Sequence, residues 1–551
     1  MDLVIKNGTV VDGTGAASIS VDVGITDGKI AAIGTLDGGA ARTIDATGKV
    51  VAPGFIDIHT HFDPQLCWDG LAIPSLEHGV TTVVIGNCSL SLAPVRADGT
   101  DKLISMFQVI EDIKKPTFDA AVPWSWETFE EYLDHIRGHL GVNVAALIGH
   151  SALRYYVMGA ASQERTATTA EIDEMCAIVS EAMAAGALGI SSSYLDMDEN
   201  MKPVPSRFAD RDEKIALAQA MSGSGRGVWQ VVPYLVDPAQ LLDNIRELGD
   251  ISLAAGVLCS LQPVMSSRAS PDAAEQLEAL ATEHARGARV YGQTMPRCFD
   301  MNMRLSETSM LLFGFPKWKA IMDMPIADRK EAFADPANRE ELVAQVGATR
   351  GAFSIAQLRV GDVKSAENEP YRGRQLAEIA ASEGKALGDV ILDLSLRDDL
   401  DTEFQLIGVI NADQEAVAKL INNPLCHFGA SDAGAHITQF CGTGDTTYML
   451  EHYVRKTGYI PLERAIYRMT GEVAKDWGIR ERGTLETGQA ADVVIFDLDH
   501  VAITKEEFVD DFPGEARRYV RRAKGYQSVI VNGQVVYDGS AYTDSRPGKI
   551  V

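Results

Sequence analysis

The chain has 551 residues, 46% hydrophobic, 7% aromatic and 23% charged, a globular balance long enough for one large domain and at least one smaller one. Its formal net charge is −27, from 77 acidic against 50 basic residues; such a surface repels polyphosphate and anionic lipid and argues against nucleic-acid and membrane partners. No apolar run reaches the roughly 18 residues of a membrane span, no export signal opens the chain, and the seven cysteines are scattered without a Cys-x-x-Cys, so the cytoplasm is the expected compartment.

Residues 1 to about 52 read as a small all-β unit. Leu3–Ile5 and Thr9–Val11 flank Lys6-Asn7-Gly8, and Val21–Ile25 joins Lys29–Gly34 through Thr26-Asp27-Gly28. Asn-Gly and Asp-Gly between apolar runs are strong hairpin signals. Ala491–Asp497 and Gln527–Val536 repeat this style at the far end. One small β-sandwich is therefore expected from both termini, residues 1–52 and 478–551, with 53–477 inserted between them.

The apolar lead-in Lys49–Pro53 runs into Gly54-Phe55-Ile56-Asp57-Ile58-His59-Thr60-His61. On a strand, residues two apart share a face, so His59 and His61 point the same way, with Asp57 beside them. Two imidazoles at a strand end can chelate a divalent metal; the same spacing also suits two histidines in a polar loop.

Strand-like and helix-like runs then alternate. Val80–Gly86 ends at Asn87-Cys88 and Val142–Gly149 at His150. Ala170–Ala185 is a helix, because Ile172, Met175, Cys176, Val179 and Met183 fall three and four apart. Leu188–Ser191, Arg226–Pro233, Ile251–Leu261 and Ala288–Tyr291 read as strands, and Pro238–Leu248 and Pro271–Arg286 as helices. Val390–Leu394, Phe404–Ile410 and Cys426–Asp432 follow as further strand-like runs. Repeated β-then-α units predict an α/β fold with a closed (β/α)8 TIM-like barrel, whose catalytic residues gather at the carboxyl ends of the strands. A doubly wound open sheet is the alternative, weakened by the lack of a Gly-x-Gly-x-x-Gly turn. The stretch from about 296 to 375, without clear strands, is expected to be an insertion over the barrel mouth.

With these runs in place the chain resembles the amidohydrolase superfamily, and within it the D-aminoacylase (N-acyl-D-amino-acid deacylase) group. The resemblance spans nearly the whole chain. Its motifs are Asp2–Gly13, Val51–Asp57 with His59-Thr60-His61, Gly86-Asn87-Cys88, Gly149–Arg154, Gly186–Gly189, Ser431-Asp432 and Gly488–Val494. The resemblance implies a zinc-carrying barrel with His59, His61 and Asp432 at one metal position, Asp432 as proton shuttle and Cys88 as a further ligand. It also implies a homo-oligomer and a small-molecule substrate.

Two departures stand out. The group's two further histidine ligands correspond here to strands that carry Gln230 and Gln262, neutral oxygen donors that suit zinc poorly. One zinc per chain is therefore expected, with two as the alternative. The group's carboxylate-gripping arginine is absent from Ala435–Phe440, and a bidentate clamp needs arginine. Arg154, Arg297 and Arg304 are the candidate replacements, with Gln230, Gln262 and Tyr291 as further substrate contacts.

The expected chemistry is metal-assisted hydrolysis of an amide: a water acidified by the metal attacks a carbonyl carbon while Asp432 moves the proton. His150 and His436, with Tyr291 behind them, are candidates for steadying the oxyanion, and each equally suits a satisfied polar residue at a barrel rim. His78, His135, His139, His284, His452 and His500 read as packing or surface residues. The competing functions are a lactone or cyclic-amide hydrolase and a metal-depleted binding relative.

Overall fold

In the computed structural model, which describes every residue except 224, 226, 268, 269, 271 and 348–353, eight parallel strands form one curled sheet. They are β1 (Phe55–Asp57), β2 (Val80–Ile85), β3 (Asn143–Gly149), β4 (Gly189–Ser193), β5 (Val228–Val232), β6 (Leu258–Leu261), β7 (Val290–Thr294) and β8 (Cys426–Phe428), each paired with the next in chain order. The predicted starting points Arg226 and Pro271 lie outside the described residues. In β2 the reason for the strand is plain: every residue is a β-branched Val, Thr or Ile and every one is buried, as a sheet covered on both faces requires.

Helices cover the outside. The helix predicted from Ala170 spans Thr169–Ala185, opened by a Thr168/Glu171 capping box and closed by Gly186 at φ +118°. Inside the curl, Ile56, Ile58, Val84, Ala145, Leu147, Leu188, Val228 and Leu258 pack against Val473, Ala474, Trp477 and Ile479. This apolar plug takes in the first residues of β5 and β6, so polar residues are left to gather at the carboxyl ends. There the two edges of the sheet meet. Thr60 bridges Ala433 in parallel, the His61 N–H donates to the Ala433 carbonyl at 2.7 Å, and the Asp432 N–H donates to the His59 carbonyl at 3.1 Å.

Strands from both chain ends share a second eight-stranded sheet. Val50–Pro53 pairs on one side with Leu3–Val10 and on the other with Val493–Phe496, which in turn pairs with Tyr526–Val531. This joint sheet has its own core of Leu3, Ile5, Val23, Ile25, Val493, Ile495 and Ile530.

Three expectations are corrected. Val390–Leu394 lies within the helix Leu387–Arg397: Val390, Ile391 and Leu394 are three and four apart and buried together, a pattern that a short, mostly apolar stretch shares with a strand. The helix Pro238–Ala255 runs through Ile251, leaving only Leu258–Leu261 as strand. Phe404–Ile410 is a strand, but it joins Phe299–Met303 and Arg359–Val360 in an antiparallel sheet instead of the parallel one, so the stretch from 296 to 375 does contain strands. This part has a separate hydrophobic core running from Met301 to Ile410.

Candidate metal centre

Strand geometry places the two histidines. Alternation along the chain leaving β1 sends the Thr60 hydroxyl outward to the Val84 carbonyl at 2.8 Å, and sends His59 and His61 inward. Asp57 braces the turn, accepting the His59 N–H at 3.3 Å and the Ser431 hydroxyl at 2.7 Å.

Cys88 arrives on a strained turn. Cys88 and Ser89 have φ of +54° and +70°, both left-handed without being glycine. Gln230 Oε1 accepts the Cys88 N–H at 3.3 Å, Ser191 Oγ accepts the Ser89 N–H at 3.0 Å, and the Ser191 hydroxyl itself donates to the Gly86 carbonyl. Asp432, after β8, is a third such position at φ +60°.

These elements bring four donor atoms together. His59 Nε2 and His61 Nε2 are 3.2 Å apart, Cys88 Sγ is 3.4 Å from the first and 3.7 Å from the second, and Asp432 Oδ1 is 3.4 Å and 3.0 Å from them. Bonds of about 2.0–2.3 Å to a central tetrahedral ion put its ligands about 3.3–3.6 Å apart. His59, His61 and Cys88 group together near that spacing, with donors that fit a zinc-type cation, and Asp432 Oδ1 adjoins both imidazoles. The imidazoles and thiol are buried, whereas the Asp432 side chain keeps 19% of its exposure, so the cluster opens on the Asp432 side.

Burial and mutual charge couple the four groups strongly. Burial pushes His59 down to about 4, leaving it neutral with a lone pair to give. Burial also works to lower His61, but Glu111, then Asp432 and Asp63, carry it up to about 9. Burial works to raise the Asp432 carboxyl, yet hydrogen bonds to the two imidazoles hold it well below the usual carboxylate range. Burial, reinforced by the Glu111 and Asp432 carboxylates, pushes the Cys88 thiol well up, so a thiolate there needs a cation beside it.

Of the other predicted residues, three reach this cluster. Gln262 donates its amide N–H to Cys88 Sγ at 3.3 Å, Gln230 holds the Cys88 backbone, and His436 Nε2 stands 3.7 Å from Asp432 Oδ2. The structure keeps His150, Arg154, Tyr291, Arg297 and Arg304 in other partnerships. His150 and Arg154 share the fully buried Glu213, with His150 Nε2 at 2.8 Å from its carboxylate, and Arg154 also donates to the Ser162 and Arg165 carbonyls. Tyr291 stacks on His427 near the amino-terminal plug, its ring centroid 4.4 Å away. Arg297 pairs with Asp445 and donates to the Cys441 and Gly442 carbonyls; Arg304 pairs with Glu403 and donates to the Asp401 carbonyl.

Sequence reasoning missed Glu111 and Asp63. Asp63 continues the alternation of His59 and His61, and its carboxylate accepts the Gly86 N–H at 3.1 Å. Glu111 stands 3.2 Å from His61 Nδ1. Its signal was an acidic pair, Glu111-Asp112, between Ile110 and Ile113 at a helix end where negative charge is unfavourable.

Residues 42–537 match the amidohydrolase family. D-aminoacylase of Alcaligenes xylosoxydans xylosoxydans is 29% identical over 565 residues, covering 100% of this chain and 97% of that protein. Among solved structures, N-acyl-D-glutamate deacylase of Bordetella bronchiseptica, complexed with zinc and a phosphonate mimic of the tetrahedral intermediate, superposes with a TM-score of 0.67 at 26% identity, covering 100% of this chain and 99% of its own. D-aminoacylase, described with a binuclear centre activated by one metal and attenuated by the second, gives a TM-score of 0.67 at 28% identity, with 100% and 99% coverage. This chain belongs to the amidohydrolase family.

Proposed function

We propose that the protein is a metal-dependent hydrolase that cleaves the C–N amide bond of an N-acyl compound, an N-acyl-D-amino acid or a related amide. The observation that carries this reading is the convergence of four donor atoms: the two imidazole nitrogens of His59 and His61 are 3.2 Å apart, with Cys88 Sγ and Asp432 Oδ1 3.0–3.7 Å from them. A divalent cation held by them, zinc by its donor set, supplies Lewis acidity that lowers the pKa of water and polarises a carbonyl. One cation per chain is favoured, because Gln230 and Gln262 offer neutral amides, poor zinc ligands, and turn Oε1 and Nε2 respectively to the Cys88 backbone and sulfur.

The chain's own residues then handle the protons. Asp432 Oδ1 faces the imidazoles and Oδ2 faces His436, so the ionised carboxylate can take a proton from the attacking water and return it to the leaving nitrogen. Burial pushes His436 down to about 4, so it is neutral and serves as a hydrogen-bond donor to the oxyanion. The relatives D-aminoacylase and N-acyl-D-glutamate deacylase support the substrate class. One observation favours a second reading, an amide without a neighbouring carboxylate: Arg154, Arg297 and Arg304 are all engaged by protein carboxylates.

We also assign residues 53–477 to a closed (β/α)8 barrel and 1–52 with 478–551 to one β-sandwich. The Thr60–Ala433 bridge and the sheet shared by both termini support these boundaries.

The test is a matched pair of N-acyl-D-amino acids and their carboxylate-capped amides, assayed with the native protein and Asp432→Asn. Hydrolysis that falls at least about 100-fold in the variant supports the assignment. Undiminished hydrolysis by Asp432→Asn removes its basis.

A further inference from the structure

Glu111 is a buried carboxyl group at the site for which hydrolysis gives no use. It directly follows α1 (Thr100–Ile110). Its side chain is 1% exposed and its Oε1 lies 3.2 Å from His61 Nδ1; among the described residues neither carboxyl oxygen, nor His61 Nδ1, has a hydrogen-bond partner. A buried carboxylate without donors is costly unless an opposite charge stands against it. The backbone around it is firmly held: the Glu111 carbonyl accepts the His436 N–H at 2.6 Å, and the Asp112 carboxylate accepts the Thr438 N–H at 3.1 Å. The turn after α1 thus clasps the loop that follows Asp432 and sets one carboxylate behind the His61 ring.

We propose that Glu111 is a positioning residue for the metal centre, its carboxylate facing His61 Nδ1 so that the proton is favoured on Nδ1 and the Nε2 lone pair is left for the space shared with His59, Cys88 and Asp432. The inference rests on the metal-centre reading above. A ring has two nitrogens, and the partner of one sets the role of the other. Here Nε2 faces the other three donors, so the carboxylate at Nδ1 selects the binding tautomer, orients the ring and makes it a stronger ligand. Standing on the far side of the imidazole, Glu111 takes no part in the proton transfers assigned to Asp432.

The experiment compares the full-length native protein with Glu111→Ala and Glu111→Gln. Zinc affinity is read by competition with a chromophoric chelator, cation geometry by the visible absorption of the cobalt(II)-loaded protein, and stability by thermal unfolding of the cation-free protein. Zinc affinity is expected to fall by about 10-fold in Glu111→Gln and up to about 100-fold in Glu111→Ala, with an altered cobalt spectrum. Cation-free stability separates a site defect from a folding defect, because the latter lowers stability and leaves affinity unchanged. Native affinity and a native cobalt spectrum in the variants overturn the inference, as does reduced cation-free stability with unchanged affinity. Should Glu111→Ala fail to fold, the nearly isosteric Glu111→Gln decides the question on the same readouts. A native protein that binds no cation overturns this inference together with the metal-centre reading; native binding with indifferent variants overturns this inference alone.

Discussion

Arg154→Met is expected to destabilise the protein while leaving substrate affinity alone. Arg154 has no exposed surface; its guanidinium pairs with Glu213 and donates to the carbonyls of Ser162 at 3.3 Å and Arg165 at 3.0 Å. Methionine fills a similar apolar volume but leaves Glu213 buried with, among the described residues, His150 opposite it at 2.8 Å. Stranding one partner of a buried ion pair costs about 3–5 kcal/mol, several times the cost of losing an exposed pair. Glu213→Gln strands the other partner and is expected to cost a similar amount, and the double variant should lose less than the sum because the two changes share one interaction. Urea unfolding of the four proteins gives these energies, and KM on a carboxylate-bearing amide should stay within about twofold for any variant that folds, since it made no contact to lose. If Arg154→Met unfolds at the native urea concentration yet raises KM about tenfold or more, the guanidinium reaches substrate and the structural reasoning fails.

Two further outcomes follow from other parts of the molecule. His78 is buried, with Nε2 3.0 Å from the Arg521 carbonyl and Nδ1 2.7 Å from the Thr447 hydroxyl, which suits one neutral tautomer; burial, then the charges of Arg297 and Arg522, push it down to about 3. The unfolded chain protonates His78 near pH 6.5 and the folded chain does not, so its stabilising effect is full above that pH and falls by up to about 1.4 kcal/mol per unit between pH 6.5 and 3. The stability gap between native protein and His78→Gln should therefore shrink on acidification, and a gap that is constant or widens from pH 7 to 4 contradicts the assignment. Gln230→His combined with Gln262→His supplies two imidazoles beside Cys88, and bound zinc is expected to rise from about one to about two per chain. A content that stays at one would mean these positions do not converge on a second cation.

The convergence of His59, His61, Cys88 and Asp432 was legible because each stands at or just past the carboxyl end of a parallel strand. The alternation from Asp57 to His61 gives the shared face, and Cys88 and Asp432 end runs whose burial the sequence already announces. Glu111 was hidden because its partner lies on another element and a carboxylate closing a helix reads as solvated. Arg154 was misleading for a similar reason: its counter-charge, Glu213, lies 59 residues away in the helix Arg211–Ser222, and nothing local signals that both are buried. Tyr291 shares a strand face with Gln293, but face alone does not tell the mouth of a sheet from its amino-terminal plug. Val390–Leu394 shows the limit of periodicity, since a short apolar run satisfies a buried helix and a buried strand alike.

The proposed hydrolysis stands on one catalytic cation held by His59, His61, Cys88 and Asp432. Metal content per chain, measured on the purified native protein and on His59→Ala beside hydrolysis of an N-acyl test amide, addresses it most directly. About one zinc per native chain is expected, with zinc and hydrolysis lost together in the variant. Undiminished hydrolysis by His59→Ala, or by native protein stripped of every divalent cation, would contradict it.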